Sequence, residues 1–366
     1  MTLHIFNPEH DLALAANSPF WTSPKAGARL RHDLGWLPAL WAKSGDAVAV
    51  GDISASYSEA SLLEDRLGLK YGNVLFCTLG DISAKALSDK IDRVEVWGWD
   101  LAVVNQLRRA GISRGLMPSE TLLERQRALS DRAVAARLLE HLVGKHDCVC
   151  GDAAAVYNIN NVDRLMKEWG GVVLKSPWSS SGRGVRIWDG TCPNTRRWME
   201  NVIRSQGHIM AERFLDKVVD FAMEFYADND GMVRYAGLSV FATSGSAYVG
   251  NLLVSEEEKI SRLSAYVPVE LLRDVRESIC RWMEETLSGC YVGPLGIDMM
   301  IVRSQDCDSF LLDPCVEINL RRTMGHVALT LSAFESVQNM AMKVLFDNGK
   351  YRFRIGHGDW DMESPV

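Results

Sequence analysis

The first third of the chain alternates between two periods. Short apolar runs, "LHIF", "DAVAVG", "NVLFCT" and "RVEVWGW", read as strands. Between and after them, "SASYSEASLLEDRLG", "DISAKALSDKI" and "DLAVVNQLRRAGI" carry the spacing of amphipathic helices. Strands interleaved with helices predict an α/β domain with a mostly parallel sheet and helices on its faces. Gly111, Gly115 and Pro118 then punctuate the chain and place a boundary near residue 117.

Ser130 is expected to cap a helix over "DRAVAARLLEHLV", which Gly144 ends. From Val172 a period of two takes over. "VVLK", "GVRIW", "HIMAERFL", "DFAMEFYAD", "VRYAGLSVFA" and "YVGNLLV" read as strands, largely in hairpins. "PVELLRDVRESICRWMEETLS" is a long helix. "YVGPLGIDMMIVR" and "FLLDPCVEINLR" are strands joined by the polar turn "SQDCDS", and "GHVALTLSAFESVQNMAMKVLF" is expected to close as one helix. The second half is therefore an α+β unit of antiparallel strands and helices. The tail from Asp347 shows no clear period.

Composition narrows the function classes. Hydrophobic residues make up 47% and charged residues 24% of the 366 positions, as in an ordinary globular protein of two or three packed units. A formal net charge of -7 argues against a nucleic-acid binder, which needs a basic face for phosphates. The eight cysteines are scattered without a CxxC pair, and "CVC" at Cys148 and Cys150 matches no standard zinc spacing. Reduced thiols in a cytoplasmic protein are expected. The N-terminal "MTLHIFNPEHDLALA" reaches Glu9 and His10 before any long apolar run, so neither signal peptide nor membrane span is expected there.

Three stretches carry candidate chemistry. In "VVLKSPWSSSGRGVRIW", a strand delivers Lys175 to a Ser/Gly loop that holds Ser179, Ser180, Ser181, Gly182 and Gly184. The two glycines would let backbone N–H groups turn toward an anion, with Lys175 as a point charge for phosphate oxygens. A mobile hairpin with a surface lysine is the plain alternative, and the loop is no Walker A, lacking GK[ST] and a following helix. In "GIDMMIV" and "DPCVEINLRR", strand alternation puts Asp298 with Met300 on one face and Glu317, Asn319 and Arg321 on one face. Pairing through the short turn would bring Asp298 beside Glu317 and Asn319, hard oxygen ligands suited to Mg²⁺. An exposed polar strand face is the alternative there, with Ile297, Met299, Ile318 and Leu320 buried behind it. In "HIMAERFLDKVVDFAMEFYAD", Ala211, Glu212 and Phe214 read as a crossing between two subdomains or as an ordinary edge strand. Glu212 would be able to accept from a ribose hydroxyl.

In this order and spacing the stretches "LKSPWSSSGRGV", "MAERFL", "GIDMMIV" and "VEINLRRTMG" resemble the ATP-grasp superfamily, over residues 118 to 346. The resemblance implies two α+β ATP-grasp subdomains, 118–208 and 209–346, after a pre-ATP-grasp-like domain 1–117 and before a tail 347–366. It implies ATP and Mg²⁺, with Mn²⁺ an acceptable substitute. Lys175, and Arg132 where many members carry Lys, would touch the phosphates, the 179–184 loop would close over them, and Glu212 would sit at the adenine–ribose hinge. Asp298, Glu317 and Asn319 would hold the metal, and Arg321 would stabilise an acyl phosphate or the transferred phosphoryl.

The implied activity is an ATP-dependent carboxylate–amine or carboxylate–thiol ligase that releases ADP and phosphate from small-molecule substrates. A phosphotransferase of the same fold and a non-catalytic ATP sensor are the competing readings. No nucleic-acid or membrane partner is expected, and a homo-oligomer is compatible with the chain.

For the second substrate, Asn7, Glu9, His10 and Asp11 follow the first strand, where open α/β sheets gather ligands. Asn7 or Asp11 would otherwise cap the next helix. Lys25, Arg29 and Arg31 suit a carboxylate or a solvated helix face. Tyr248 and Asn251, in "GSAYVGN", lie where ATP-grasp enzymes often contact acyl donor or acceptor. "WGWD" is expected to pack its tryptophans and cap a helix with Asp100, and His326 to be structural at a helix start.

Overall fold

The computed structural model describes residues 1–68, 73–84, 87–146, 148–179, 184–244, 247–304 and 308–357. The chain divides into two compact units. The first holds Met1–Arg127, Leu252–Val254 and Val327–Gly358, and the second holds Ala128–Asn251 and Ser255–His326. The division thus falls beyond the Gly115–Pro118 punctuation. Residues 327–346, which the resemblance puts at the end of its second subdomain, group with the first unit.

The first unit is built on a parallel sheet in the order Leu75–Cys77, Ala47–Ala49, Thr2–Ile5, Arg93–Val96. Leu3 faces Ala47 on one side and Val94 on the other. Leu3, Ile5, Ile82, Val103 and Leu107 close the core between sheet and helices. Two helices start where the pattern places them because an aspartate satisfies an orphan N–H. Asp52 accepts from Ala55 N at 2.9 Å and Asp100 from Val103 N at 2.8 Å. As expected, Trp97 lies in the core, at 5% exposure.

One expectation fails near the C-terminus. The helix begun at Met324 ends at Ser332 instead of running to Phe346, and Met340–Asp347 is a strand paired antiparallel with Lys350–Gly356. The residues between those strands, Asn348 and Gly349, have φ of 49° and 76°, the left-handed pair of a tight hairpin turn. Residues 358–366 of the expected tail lie outside the described residues.

The second unit contains two antiparallel sheets. One runs in the order Ala153–Val156, Ile209–Arg213, Val172–Lys175, Val185–Trp188. Val172, Leu174, Ile209 and Ala211 pack with Val162, Met199 and Val202 of the helices Ile159–Trp169 and Pro193–Gln206. The other places its strands in the order Phe310–Asn319, Gly293–Arg303, Lys217–Ala227, Val233–Ser244, Ala247–Leu253. The helix Val269–Leu287 lies where the sequence pattern puts it, with Val275, Ile279 and Met283 buried. The helix Arg132–Leu142 is capped by Asp131, which accepts from Ala133 N at 2.9 Å, and not by Ser130. A carboxylate one residue on gives the stronger cap because it adds charge at the positive helix end.

Candidate functional site

The strands Gly293–Arg303 and Phe310–Asn319 pair so that Asp298 stands directly across from Glu317, and Gly296 across from Asn319. The expected buried face behind them is present, with Ile297, Met299, Ile318 and Leu320 all at 7% exposure or less. The register then shifts, and Met300 meets Asp313. Residues 314–316 bulge at this point, where Pro314 has no N–H to give the ladder and the strand ends the sheet order.

Asp298 and Glu317 repel each other. Burial, then the charges of Glu317 and Glu224, hold the Asp298 carboxyl well above the usual carboxylate range. Arg321 and a hydrogen bond with Asn319 pull the other way. Two facing carboxylates and an amide oxygen, with negative charge only partly offset, are a donor set that fits a hard divalent cation. Among the described residues, no group of three or more His, Cys, Asp or Glu is placed to hold a metal ion, so this set depends on the amide of Asn319.

Two cations border that face. Arg132, only 7% exposed, donates from Nη1 to Ser176 O at 2.5 Å and to Ser179 Oγ at 2.8 Å, and from Nη2 to Glu317 Oε1 at 2.7 Å. It therefore ties the Ser loop to the carboxylate strand. Lys175 lies 2.5 Å from Glu212 Oε2 and donates to Val316 O at 3.5 Å. Ser180, Ser181 and Gly182 lie outside the described residues. Gly184 serves a purpose that the sequence reading did not give it. A Cβ there would meet Ser179 Oγ at 2.3 Å, so the absent side chain admits Ser179 against the hairpin base. Of the expected hinge residues, Ala211 is fully buried between Ala154 and Leu174, Glu212 is largely buried in its pair with Lys175, and Phe214 is half-exposed.

Tyr248 and Asn251 are joined, the Tyr248 hydroxyl donating to Asn251 Oδ1 at 2.5 Å and Asn251 Nδ2 donating to Ser239 Oγ at 2.6 Å. Burial and the charge of Glu224 push the Tyr248 hydroxyl well above its usual range, so it stays a donor.

Glu224 and Asp313 escaped the sequence reading. Glu224 is 1% exposed and sits 3.0 Å from His326 Nδ1, while His326 Nε2 lies 3.1 Å from Phe225 O. His326 is thus buried, with both ring nitrogens engaged. A Cβ on Gly325 would meet Glu224 Oε1 at 1.8 Å, so that glycine admits the carboxylate. The signal was a lone carboxylate inside the apolar run "FAMEFY". Asp313, at 5% exposure, is pushed up to about 7 by burial and then by Glu212.

In the first unit, Glu9 Oε1 accepts from Arg31 Nη1 at 3.0 Å and His10 Nδ1 lies 3.1 Å from Asp100 Oδ2. Neither Asn7 nor Asp11 is the helix cap; that position is Glu9, without a side-chain cap bond. Lys25 and Arg29 are exposed on their helix. The described cysteines are free thiols. No described helix is long and apolar enough to cross a membrane.

A parallel α/β unit and a pair of antiparallel α+β sheets define the class: the chain has the ATP-grasp fold. The biotin carboxylase of Campylobacter jejuni, solved with β,γ-ATP, matches it with a TM-score of 0.50 at 15% identity, over 93% of this chain and 74% of that one. The N5-carboxyaminoimidazole synthetase of Staphylococcus aureus, solved with ADP, gives a TM-score of 0.49 at 12% identity, over 94% of this chain and 82% of that one. No protein-family model and no curated protein sequence matches the chain.

Proposed function

We propose that the chain is an ADP-forming, ATP-dependent ligase that joins a small carboxylate to an amine or thiol through an acyl phosphate. The observation that carries this reading is the register placing Asp298 opposite Glu317, with Asn319 on the same strand and Arg132 on Glu317. The ATP complex of the Campylobacter jejuni biotin carboxylase supports a nucleotide as the second component.

In this reading Lys175 and Arg132 hold phosphate oxygens, exchanging part of their pairing with Glu212 and Glu317 for the nucleotide. Asp298, Glu317 and Asn319 would hold Mg²⁺, whose charge would offset that of the phosphates. Arg321 meets charge that grows as the phosphoryl group moves. The acceptor then displaces phosphate from the acyl carbon.

The test is product analysis over a panel of carboxylates, with hydroxylamine as a strong acceptor needing little positioning. ADP and free phosphate should appear together, with a hydroxamate formed. Arg321→Ala should suppress the hydroxamate more than it weakens ATP binding. AMP with pyrophosphate, or a stable phosphorylated product without free phosphate, would overturn the ligase reading.

A further inference from the structure

The parallel sheet of the first unit contains a switch in strand order. Thr2–Ile5 lies between Ala47–Ala49 and Arg93–Val96, so the chain first moves to one side of its opening strand and later returns on the other. The segments leaving Thr2–Ile5 and Arg93–Val96 are tied side by side at this switch, Asn7 Nδ2 donating to Gly98 O at 2.8 Å. Open α/β sheets hold small molecules in the crevice formed at such a point. A cavity of about 400 Å³ lies there, bordered by Asn7 and Glu9 from the first segment, Asp100 from the second, and Trp21, Arg31 and Arg109. Its volume suits a small molecule.

The charged groups around it differ in what they leave unmet. Asp100 is fully engaged, accepting from Val103 N and Asn7 Nδ2 and lying 3.1 Å from His10 Nδ1. It braces the floor. Glu9 is 7% exposed and gives one oxygen to Arg31, but its Oε2 has no hydrogen-bond partner among the described residues. A buried carboxylate oxygen without a donor bears a desolvation penalty that an incoming N–H group removes, most strongly when the donor is charged. Arg109 is exposed and makes no ion pair among the described residues. A carboxylate oxygen without a donor and an unmatched cation on one cavity call for an N–H donor and an anion on one ligand.

We infer that this cavity binds a small amino acid as its zwitterion, the ammonium donating to Glu9 and the carboxylate meeting Arg109. The site stands on the geometry of the first unit alone and does not depend on the ligase reading.

The full chain, without nucleotide, is screened by melting temperature and then calorimetry against the proteinogenic amino acids at millimolar concentration. At least one should raise the melting temperature, because a ligand of the folded state stabilises it by mass action. Its deaminated acid and its decarboxylated amine should each bind roughly tenfold more weakly or worse. Glu9→Gln and Arg109→Ala should weaken binding by a similar factor. Ala28→Trp, at an exposed helix position on the cavity wall, should abolish it without changing the unliganded melting temperature. Arg109→Ala and Ala28→Trp touch no buried contact, so they report even where Glu9→Gln fails to fold. The site is refuted by the absence of any amino-acid shift in the wild type. Binding that survives unchanged in Arg109→Ala and Ala28→Trp, or equal binding of the deaminated acid, refutes it too.

Discussion

Replacing Asp313 by Asn removes one titratable group from the interior of the second unit while keeping an oxygen for Cys315 N, which donates to Asp313 Oδ1 at 3.2 Å. Burial and then the Glu212 charge push this carboxyl up to about 7, while the Cys315 N–H and Lys175 pull it down. In the unfolded chain it titrates near ~3.9. Between those values the folded protein keeps a proton that the unfolded chain has released, so stability falls as pH rises. The contribution is whole below the unfolded value and lost as pH passes the folded one. Three pKa units at roughly 1.36 kcal/mol each amount to on the order of 4 kcal/mol across the full window. Urea unfolding of wild type and variant at about pH 5 and about pH 8.5 samples two of those units, so the variant should gain about 3 kcal/mol on the wild type between them. Parallel pH dependences for the two proteins would show that Lys175 neutralises Asp313 and that burial does not hold it protonated.

Gly325→Ala should cost about 1–3 kcal/mol or more in urea unfolding, because its Cβ has no room beside Glu224; an unchanged midpoint would mean that Glu224 has another rotamer to occupy. Lys175→Ala should lose most of the melting-temperature rise produced by MgATP, and an undiminished rise would move the phosphate site elsewhere. Glu317→Gln and Asn319→Ala should each abolish turnover with far-ultraviolet circular dichroism intact, since each removes a hard ligand or its charge. Near-normal rates in both would dismiss the metal assignment.

The carboxylate strands were legible because their period of two fixes which side chains share a face, and the apolar set Ile297, Met299, Ile318 and Leu320 leaves only one face for Asp298 and Glu317. The bulge at residues 314–316 was not legible, because alternation alone does not count an extra residue. Pro314 was its only local sign. The helix expected to run to Phe346 fails for a different reason. "MAMKVLF" suits either period, and pairing with Lys350–Gly356 decides it. Asn348-Gly349 between apolar runs was a hairpin signal in plain view. The pairing of Arg132 with Glu317, separated by 185 residues, has no trace in local pattern at all.

The return of Val327–Gly358 to the first unit bears on how the chain is made. Tyr351 N donates to Asp33 Oδ2 at 2.8 Å across 318 residues, and Trp36 meets Phe353 edge to face at 6.0 Å. At a synthesis rate of roughly 5–20 residues per second, the parallel sheet and its helices would wait on the order of 10–40 s for these partners. Ala128–His326 would emerge in that interval, while Trp36 lacks the ring that covers it. The unit begun first on the ribosome is therefore the one completed last. A fragment cut after Arg127 should expose that apolar face and aggregate instead of folding as a free-standing domain.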